Sequence, residues 1–438
     1  MMKKAFSLVL VLVLLCGLLT GCGAKKKEAV KITVKVPVLA MNCVNDPDCG
    51  DTSVFIKKAF AAFAKQYKKY DVSADVIVFE QTAYQEAIPD CYGKKNGTDL
   101  TFGGYFTISG YMYDGYAIPL DDIITDAIRA DFSESSWAQS KGNNGKTYLM
   151  PFYALQNVAS YNKDLFRMCG LDQYCYDDHK IRSWSLEEWD TVLSTLAEKL
   201  PAGYYPMMMY GANNQGDTHT MLMMRCKGSK FFDESGLFKV NTPEGIAGLQ
   251  WFKDNQAKGY YPPNCGDLVI NDCQELFSNG QLAIYVYNTA LQVYADTLDL
   301  NFVNFPGATE GGANTNWITG FMAFDNGDAK KVEVVKDFLK FLYETPEWMD
   351  YATTGIPCSK SVVERYGDKI AMAQDFLDNE AYSVDFTAGN PNWADVRKAF
   401  WPHIHALLNG TETAEQAAAG IDADCNAVIA ACEKKLHK

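Results

Sequence analysis

Histidine is scarce in this chain, five residues in 438. None sits in an HExxH or comparable ligand spacing, which argues against a zinc hydrolase. His403 and His405 in WPHIHALL lie two apart on a helical stretch and therefore face different ways, so no metal centre is expected there. No GxSxG nucleophile elbow is present. SKGNNGKT, residues 140–147, approaches a phosphate-binding loop, but Ser140 replaces the first glycine and strand-like YLMPFY follows where a helix would be needed. It reads as a turn. NDPDCGD is acidic but lacks the spacing and terminal glutamate of an EF-hand loop. Basic residues are outnumbered, 40 Lys and Arg against 54 Asp and Glu, for a formal charge of −14. A chain with no basic face has nothing to offer nucleic acid. Repeats and low-complexity runs are absent, and outside the N-terminus no stretch approaches the ~18 consecutive apolar residues of a membrane helix. These absences leave no signature of catalysis, cofactor or metal.

The N-terminus carries Lys3 and Lys4 ahead of an apolar run from Ala5 to Leu15, the pattern of a secretory signal. Leu19-Thr20-Gly21-Cys22 resembles the bacterial lipoprotein cleavage box, which implies removal of residues 1–21 and lipidation of Cys22. Residues 22–30, with Lys25 to Lys27, then form a tether at the membrane, held by the several acyl chains that stable anchoring needs. Losing Lys3 and Lys4 takes the formal charge from −14 to −16. The remaining chain, about 417 residues, is too long for one ordinary core and suggests two or three folding units. Among the thirteen cysteines, Cys43 with Cys49, Cys169 with Cys175, and Cys265 with Cys273 are close enough in sequence to staple their own loops in an oxidising exterior. Cys425 and Cys432 on one helix stand roughly 10 Å apart, beyond disulfide reach. With Cys16 and Cys22 set aside the count is odd, so at least one thiol stays free or pairs outside the chain.

KITVKVPVLAMN alternates as a strand does. DTSVFIKKAFAAFAKQYKKY places Phe60, Phe63, Tyr67 and Tyr70 at helical spacing behind the capping residues Asp51, Thr52 and Ser53. DVSADVIVFE and TDLTFGGY give two more strands. This strand-helix-strand rhythm implies an α/β fold whose ligands gather at the carboxyl ends of strands. Ser185-Leu-Glu-Glu188 has the spacing of a capping box. Pro243 sits in the first turn of a helix that Gly259 ends. QLAIYVYN reads as a strand, DAKKVEVVKDFLKFLYET as a long helix, and the chain from Trp393 on as helical.

Aromatics and carboxamides recur together at strand ends and loops: Gly103-Gly104-Tyr105, Pro151-Phe152-Tyr153, Gly211-Ala-Asn-Asn-Gln215, Tyr287-Asn288 and Asn314-Thr-Asn-Trp317. Aromatic faces stack on sugar C–H faces, and carboxamides both donate to and accept from hydroxyls. Trp317 in GGANTNWITG poses the question most sharply, since a large indole in small polar company is either folded back into the core or offered to a ligand.

GKTYLMPFYALQNVASYNKDLFRMCGLD, residues 145–172, is similar to the pattern of extracellular solute-binding protein family 1, the lipid-anchored receptors of ABC sugar importers. SWSLEEWDTVLSTLAEKL, GYMYDGYAIPLDDII, FSNGQLAIYVYN and LLNGTETAEQAAAGIDADCNAVI resemble further segments of it. The resemblance implies a type II periplasmic-binding-protein-like fold, two α/β lobes hinged by crossover strands: 31–150 with 320–350, and 151–319 with 351–438. It implies a monomer without cofactor or catalysis that passes a carbohydrate, in size an oligosaccharide, to the permease subunits of an importer at the outer face of the cytoplasmic membrane. Position by position, the family's ligand contacts fall on Asn42, Tyr105, Tyr153, Asn213, Asn214, Asn288, Trp317 and Gly320, with Trp393 a fainter match. Two departures stand out: Asn288-Thr289-Ala290 where the family often has tryptophan, and the cysteine-bounded loop 43–49. A receptor for a non-sugar solute such as a polyamine, or a surface glycosidase, are the alternatives, and aromatics with carboxylates would suit the former.

Overall fold

The computed structural model describes residues 27–41, 43–80, 83–84, 97–112, 115, 117–142, 144–288, 291–370, 372–390 and 392–436. The signal segment, Cys22 and Asn42 lie outside them. Among the described residues ten strands, β1 (Ala29–Pro37), β2 (Asp71–Phe79), β3 (Leu100–Gly104), β4 (Leu149–Asn162), β5 (Ile181–Arg182), β6 (Tyr205–Met207), β7 (Leu282–Tyr287), β8 (Leu300–Val303), β9 (Thr315–Ala323) and β10 (Ile356–Pro357), form one sheet system with the main path β2-β1-β3-β9-β4-β7-β6. β1 pairs in parallel with β2 and β3, the outcome of the strand-helix-strand rhythm. The intervening helix α1 (Thr52–Gln66) starts where the Asp51 carboxylate accepts the Ser53 and Val54 amides. It ends at Gln66, so Phe60 and Phe63 pack on Phe338 while Tyr70 lies beyond its last turn.

β4 joins the two halves. Its residues 149–157 pair with β9, and its residues 158–162 pair with β7 and β8. The buried apolar side chains accordingly separate into two clusters. One draws on residues 30–153 and 318–362, the other on 158–313 and 376–429 together with Ile356. Tyr351, Cys358 and Val362 belong to the first cluster, so the chain returns to the second lobe a third time only after Val362. The capping box at Ser185 and Glu188 forms, as does the Pro243 helix start behind the Thr242 cap. Lys141 pairs with Thr147 in antiparallel fashion, as a turn between them requires. The ten described cysteines are free thiols, so the three loop staples suggested by spacing are open in the structure. Among the described residues no helix is long and apolar enough to cross a membrane, and no cluster of His, Cys, Asp and Glu could hold a metal ion.

Candidate ligand-binding cleft

The candidate site lies at the β4–β9 ladder, in which Leu155 pairs with Trp317, Asn157 with Thr315, and Tyr153 with Thr319. Alternation puts these residues on one face and Gln156, Asn316, Ala154 and Ile318 on the other. Gly320 fits its place because the two strands touch there. A Cβ at Gly320 would stand 2.0 Å from the Met150 carbonyl oxygen. Gly320 thus serves backbone packing.

From the first lobe, β3 ends at Gly103 and Gly104 and turns at once into helix α2 (Tyr105–Ile108). A Cβ on Gly104 would lie 3.6 Å from Cδ1 and Nε1 of Trp317, so the indole is laid across the end of β3. Trp317 is 7% exposed, yet it belongs to neither apolar cluster of described residues. It lines a cavity of about 420 Å³ with Tyr105, Gln139, Asn316, Glu380, Asp385 and Phe386. Gln139 comes from helix α3 (Glu134–Ser140) of the first lobe, where its Oε1 accepts the Ile318 amide. The Asn316 Oδ1 is buried with no described partner. Glu380 accepts from the Ser135 hydroxyl at 3.1 Å, a contact between a first-lobe helix and the last segment. Asp385 accepts from the Thr387 amide and hydroxyl and from the Gly389 amide, which fixes its loop.

The second lobe contributes a polar relay. Asn288, at the end of β7, donates to Asn157 Oδ1 at 2.7 Å, and Asn157 donates to Thr218 Oγ1 at 3.3 Å. Thr218 is on helix α4 (Asp217–Met223), which follows the loop of Asn213 and Asn214. Both asparagines are half-buried, and the Asn213 Oδ1 has no described partner. Beneath them Asp217 receives both Nε (2.9 Å) and Nη2 (2.5 Å) of Arg397 and the indole N–H of Trp393 (2.8 Å). The ion pair is 5% and 0% exposed at its two side chains, so its attraction is little screened. Beside it, His219 is enclosed against Phe305 and Tyr210. Burial, opposed only by nearby Asp217, pushes its imidazole down to about 4.

Of the residues suggested by the sequence, Tyr105 and Trp317 share one cavity, and Asn288 meets the ladder beside it. Tyr153 packs against Phe102 and Phe152 in the first core, where burial holds its hydroxyl far above the ordinary tyrosine range. Trp393, which begins helix α5 (Trp393–Leu408), is fully enclosed, parallel to Phe238 at 6.2 Å and edge-on to Phe386 at 5.4 Å. Asn157, Thr315, Gln139, Glu380 and Asp385 carried no local signal except in one case. A carboxamide inside the apolar run of β4, two and four residues on from Leu155 and Tyr153, marks the face that Asn157 shares with them.

The model of the bacterial extracellular solute-binding protein family matches residues 50–347. A Brucella abortus (strain 2308) protein named as a binding protein is 23% identical over 295 residues, 66% of this chain and 67% of that one. The diacetylchitobiose binding protein of Streptomyces coelicolor is 22% identical over 393 residues, 85% of each chain. Among solved structures, maltose-bound MalE3 of T. maritima superposes with a TM-score of 0.71 at 18% identity, covering 92% of this chain and 100% of that one. The GacH receptor of Streptomyces glaucescens, solved free and with acarbose, gives 0.71 at 16%, covering 92% and 99%. These likenesses establish the two-lobed fold, and by the family match the chain belongs to the bacterial extracellular solute-binding proteins.

Proposed function

We propose that this receptor captures a carbohydrate, in size an oligosaccharide, between its lobes and hands it to the permease subunits of an ABC importer. The observation that carries the reading is Trp317, an almost enclosed indole outside both apolar clusters of described residues and lining a cavity with Tyr105, Gln139 and Asn316. Its volume, about 420 Å³, lies within the ~300–1,000 Å³ typical of small-molecule sites. Aromatic faces would supply affinity and carboxamides the orientation of hydroxyls. The relatives point the same way: their names and titles include diacetylchitobiose, mannitol, maltose and acarbose. The action is closure, in which a solute touching both lobes favours the closed form by its differential affinity. No chemistry is performed on the ligand. In the lobe assignment that goes with this reading, 31–150 with 320–350 form one body and 151–319 with 351–438 the other, except that Tyr351, Cys358 and Val362 pack in the core of the first. Asn42, Asn213, Asn214 and Asn288 complete the polar lining, and Cys22 carries the lipid that keeps the monomer at the membrane.

Titration calorimetry against malto-, xylo-, manno- and galacto-oligosaccharides tests the reading, and silence across all of them would sink the carbohydrate assignment. Glu380 and Asp385 on the cavity wall favour one rival, a polyamine held by carboxylates and rings. Putrescine and spermidine belong in the same panel, and heat from them alone would move the assignment to that class.

A further inference from the structure

The loop after β1 is closed at its mouth by backbone pairing. Ala40 bridges Asp51 in antiparallel fashion, and the Met41 amide donates to the Gly50 carbonyl at 3.1 Å. Facing Cα atoms on such rungs stand ~4.5–5.5 Å apart, so the mouth of the loop is narrow, and within it Cys43 bridges Asp46. Cys43 lies two residues inside this mouth on one side and Cys49 one residue inside on the other. Two successive turns fold the interior back on itself. The Asp46 amide donates to the Cys43 carbonyl at 3.1 Å, and the Cys49 amide donates to the Asp46 carbonyl at 3.2 Å. Both cysteine side chains point into the same apolar cluster, 2% and 3% exposed, while Asn45, Pro47 and Asp48 between them face solvent.

The outside of the loop is fastened to the first lobe's late segment. Val44 donates to Thr353 Oγ1 at 2.9 Å, Asn45 Nδ2 to Asp350 Oδ2 at 3.1 Å and to the Tyr366 hydroxyl at 2.8 Å. Asp46 accepts from Lys58 at 2.5 Å and from the Tyr351 hydroxyl at 2.6 Å. The two sulfurs are therefore enclosed under a loop that is held down all round, next to the end of the strand that leads to Asn42. We infer that in the exported protein Cys43 and Cys49 are joined by a disulfide that closes this loop.

Membership of an extracellular family places the chain where such a bond persists. The oxidant is a small-molecule or protein disulfide met during folding. One cysteine thiolate attacks a sulfur of that disulfide, forming a mixed disulfide and releasing one thiol. The second cysteine then displaces the other half. Two S–H bonds are lost and one S–S bond is gained, the external disulfide leaves as two thiols, and protons and electrons balance. Burial raises the Cys43 thiol, and burial together with Asp46 and Cys43 itself raises Cys49 to about 11, against the lowering effect of Lys58. The folded dithiol is accordingly a slow nucleophile, so bond formation belongs to the period before the loop is packed.

The test uses the full chain secreted into an oxidising compartment, denatured in N-ethylmaleimide and digested with trypsin. Cleavage after Lys35 and Lys57 releases both cysteines on the single peptide Val36–Lys57. The expected peptide is unalkylated and two hydrogens lighter than its dithiol form, and it takes up two maleimides only after reduction. In the single variants Cys43→Ser and Cys49→Ser the remaining cysteine should be alkylated without reduction. Two maleimides on the unreduced wild-type peptide, or either cysteine cross-linked to another part of the chain, would overturn the inference.

Discussion

Lowering the pH should destabilise this protein through His219, and the size of the effect follows from its surroundings. The ring is 2% exposed, lies against Phe305 and Tyr210, and leaves Nε2 without a described partner. Charging it means placing an imidazolium where no water reaches, with only Asp217, itself committed to Arg397 and Trp393, to offset the cost. Its pKa falls from an ordinary 6.5 to about 4 on folding. A depressed folded value means that the unfolded chain takes the proton first. The stabilisation is thus complete above pH 6.5 and is lost as pH falls towards 4. At pH 5 the loss from this one group is about 2 kcal/mol, rising to about 3 kcal/mol below pH 4. Urea unfolding of the wild type and of His219→Phe, each at pH 7 and pH 5, isolates the term, because all other groups titrate alike in both proteins. The variant should lose about 2 kcal/mol less than the wild type over that interval. Equal losses in the two proteins would refute the enclosed neutral imidazole.

Trp317→Ala should weaken binding of the carbohydrate found by calorimetry roughly 30-fold, about 2 kcal/mol. A Kd within twofold of wild type would return the indole to a packing role. Gly320→Ala drives a methyl against the Met150 carbonyl and should cost about 1–3 kcal/mol of stability, and an unchanged thermal midpoint would contradict the strand contact. Asp217→Leu removes the buried carboxylate that accepts from Arg397 and Trp393 and should cost about 3–5 kcal/mol, most of it recovered when Arg397→Leu is added. Additive losses in the double variant would show that the pair is not the linkage described.

The parts of the fold that could be read from the sequence are those fixed by neighbours in the chain. The Asp51 cap, the capping box at Ser185 and the proline start at Pro243 each depend on a few consecutive residues. The alternation of β1 likewise announces its own buried face. The fate of Trp393 does not have this character. Its position at the start of a helix suits a ligand platform as well as a core, and the choice is made by Asp217 and Phe238, far away in the chain. Tyr153 and Asn157 pose the same difficulty on one strand. A register shift between Pro151 and Tyr153 decides which side chains of β4 face which side chains of β9, and no local pattern encodes it. Trp317 was legible as a question because its small polar neighbours are unlike those of a core strand. What the structure adds is the end of β3, brought to it by pairing of Gly103 with Gly320.

The walls of the cavity bear on how a solute could move the protein. Tyr105 and Gln139 are carried by helices of the first lobe, whereas Glu380 and Asp385 sit on the segment that re-enters the second. That segment is fixed to the hinge by buried carboxamides. Asn379 donates to Gln156 Oε1 at 3.0 Å and to Asn304 Oδ1 at 2.8 Å, and Asn314 donates to the Asn379 carbonyl at 3.0 Å. Ser383 donates in turn to Asn314, and Gln156 to the Phe376 carbonyl. Buried amides that satisfy one another in this way hold a single geometry, since any break leaves several groups unpaired. In the lobe assignment we propose, the far wall belongs to the second lobe and the crossover strands and the near wall to the first, with the Ser135–Glu380 contact between them. A cavity divided between two bodies changes its volume when they rotate, and a solute that bonds to both walls gains those contacts only when they approach. Under that condition binding free energy is converted into closure.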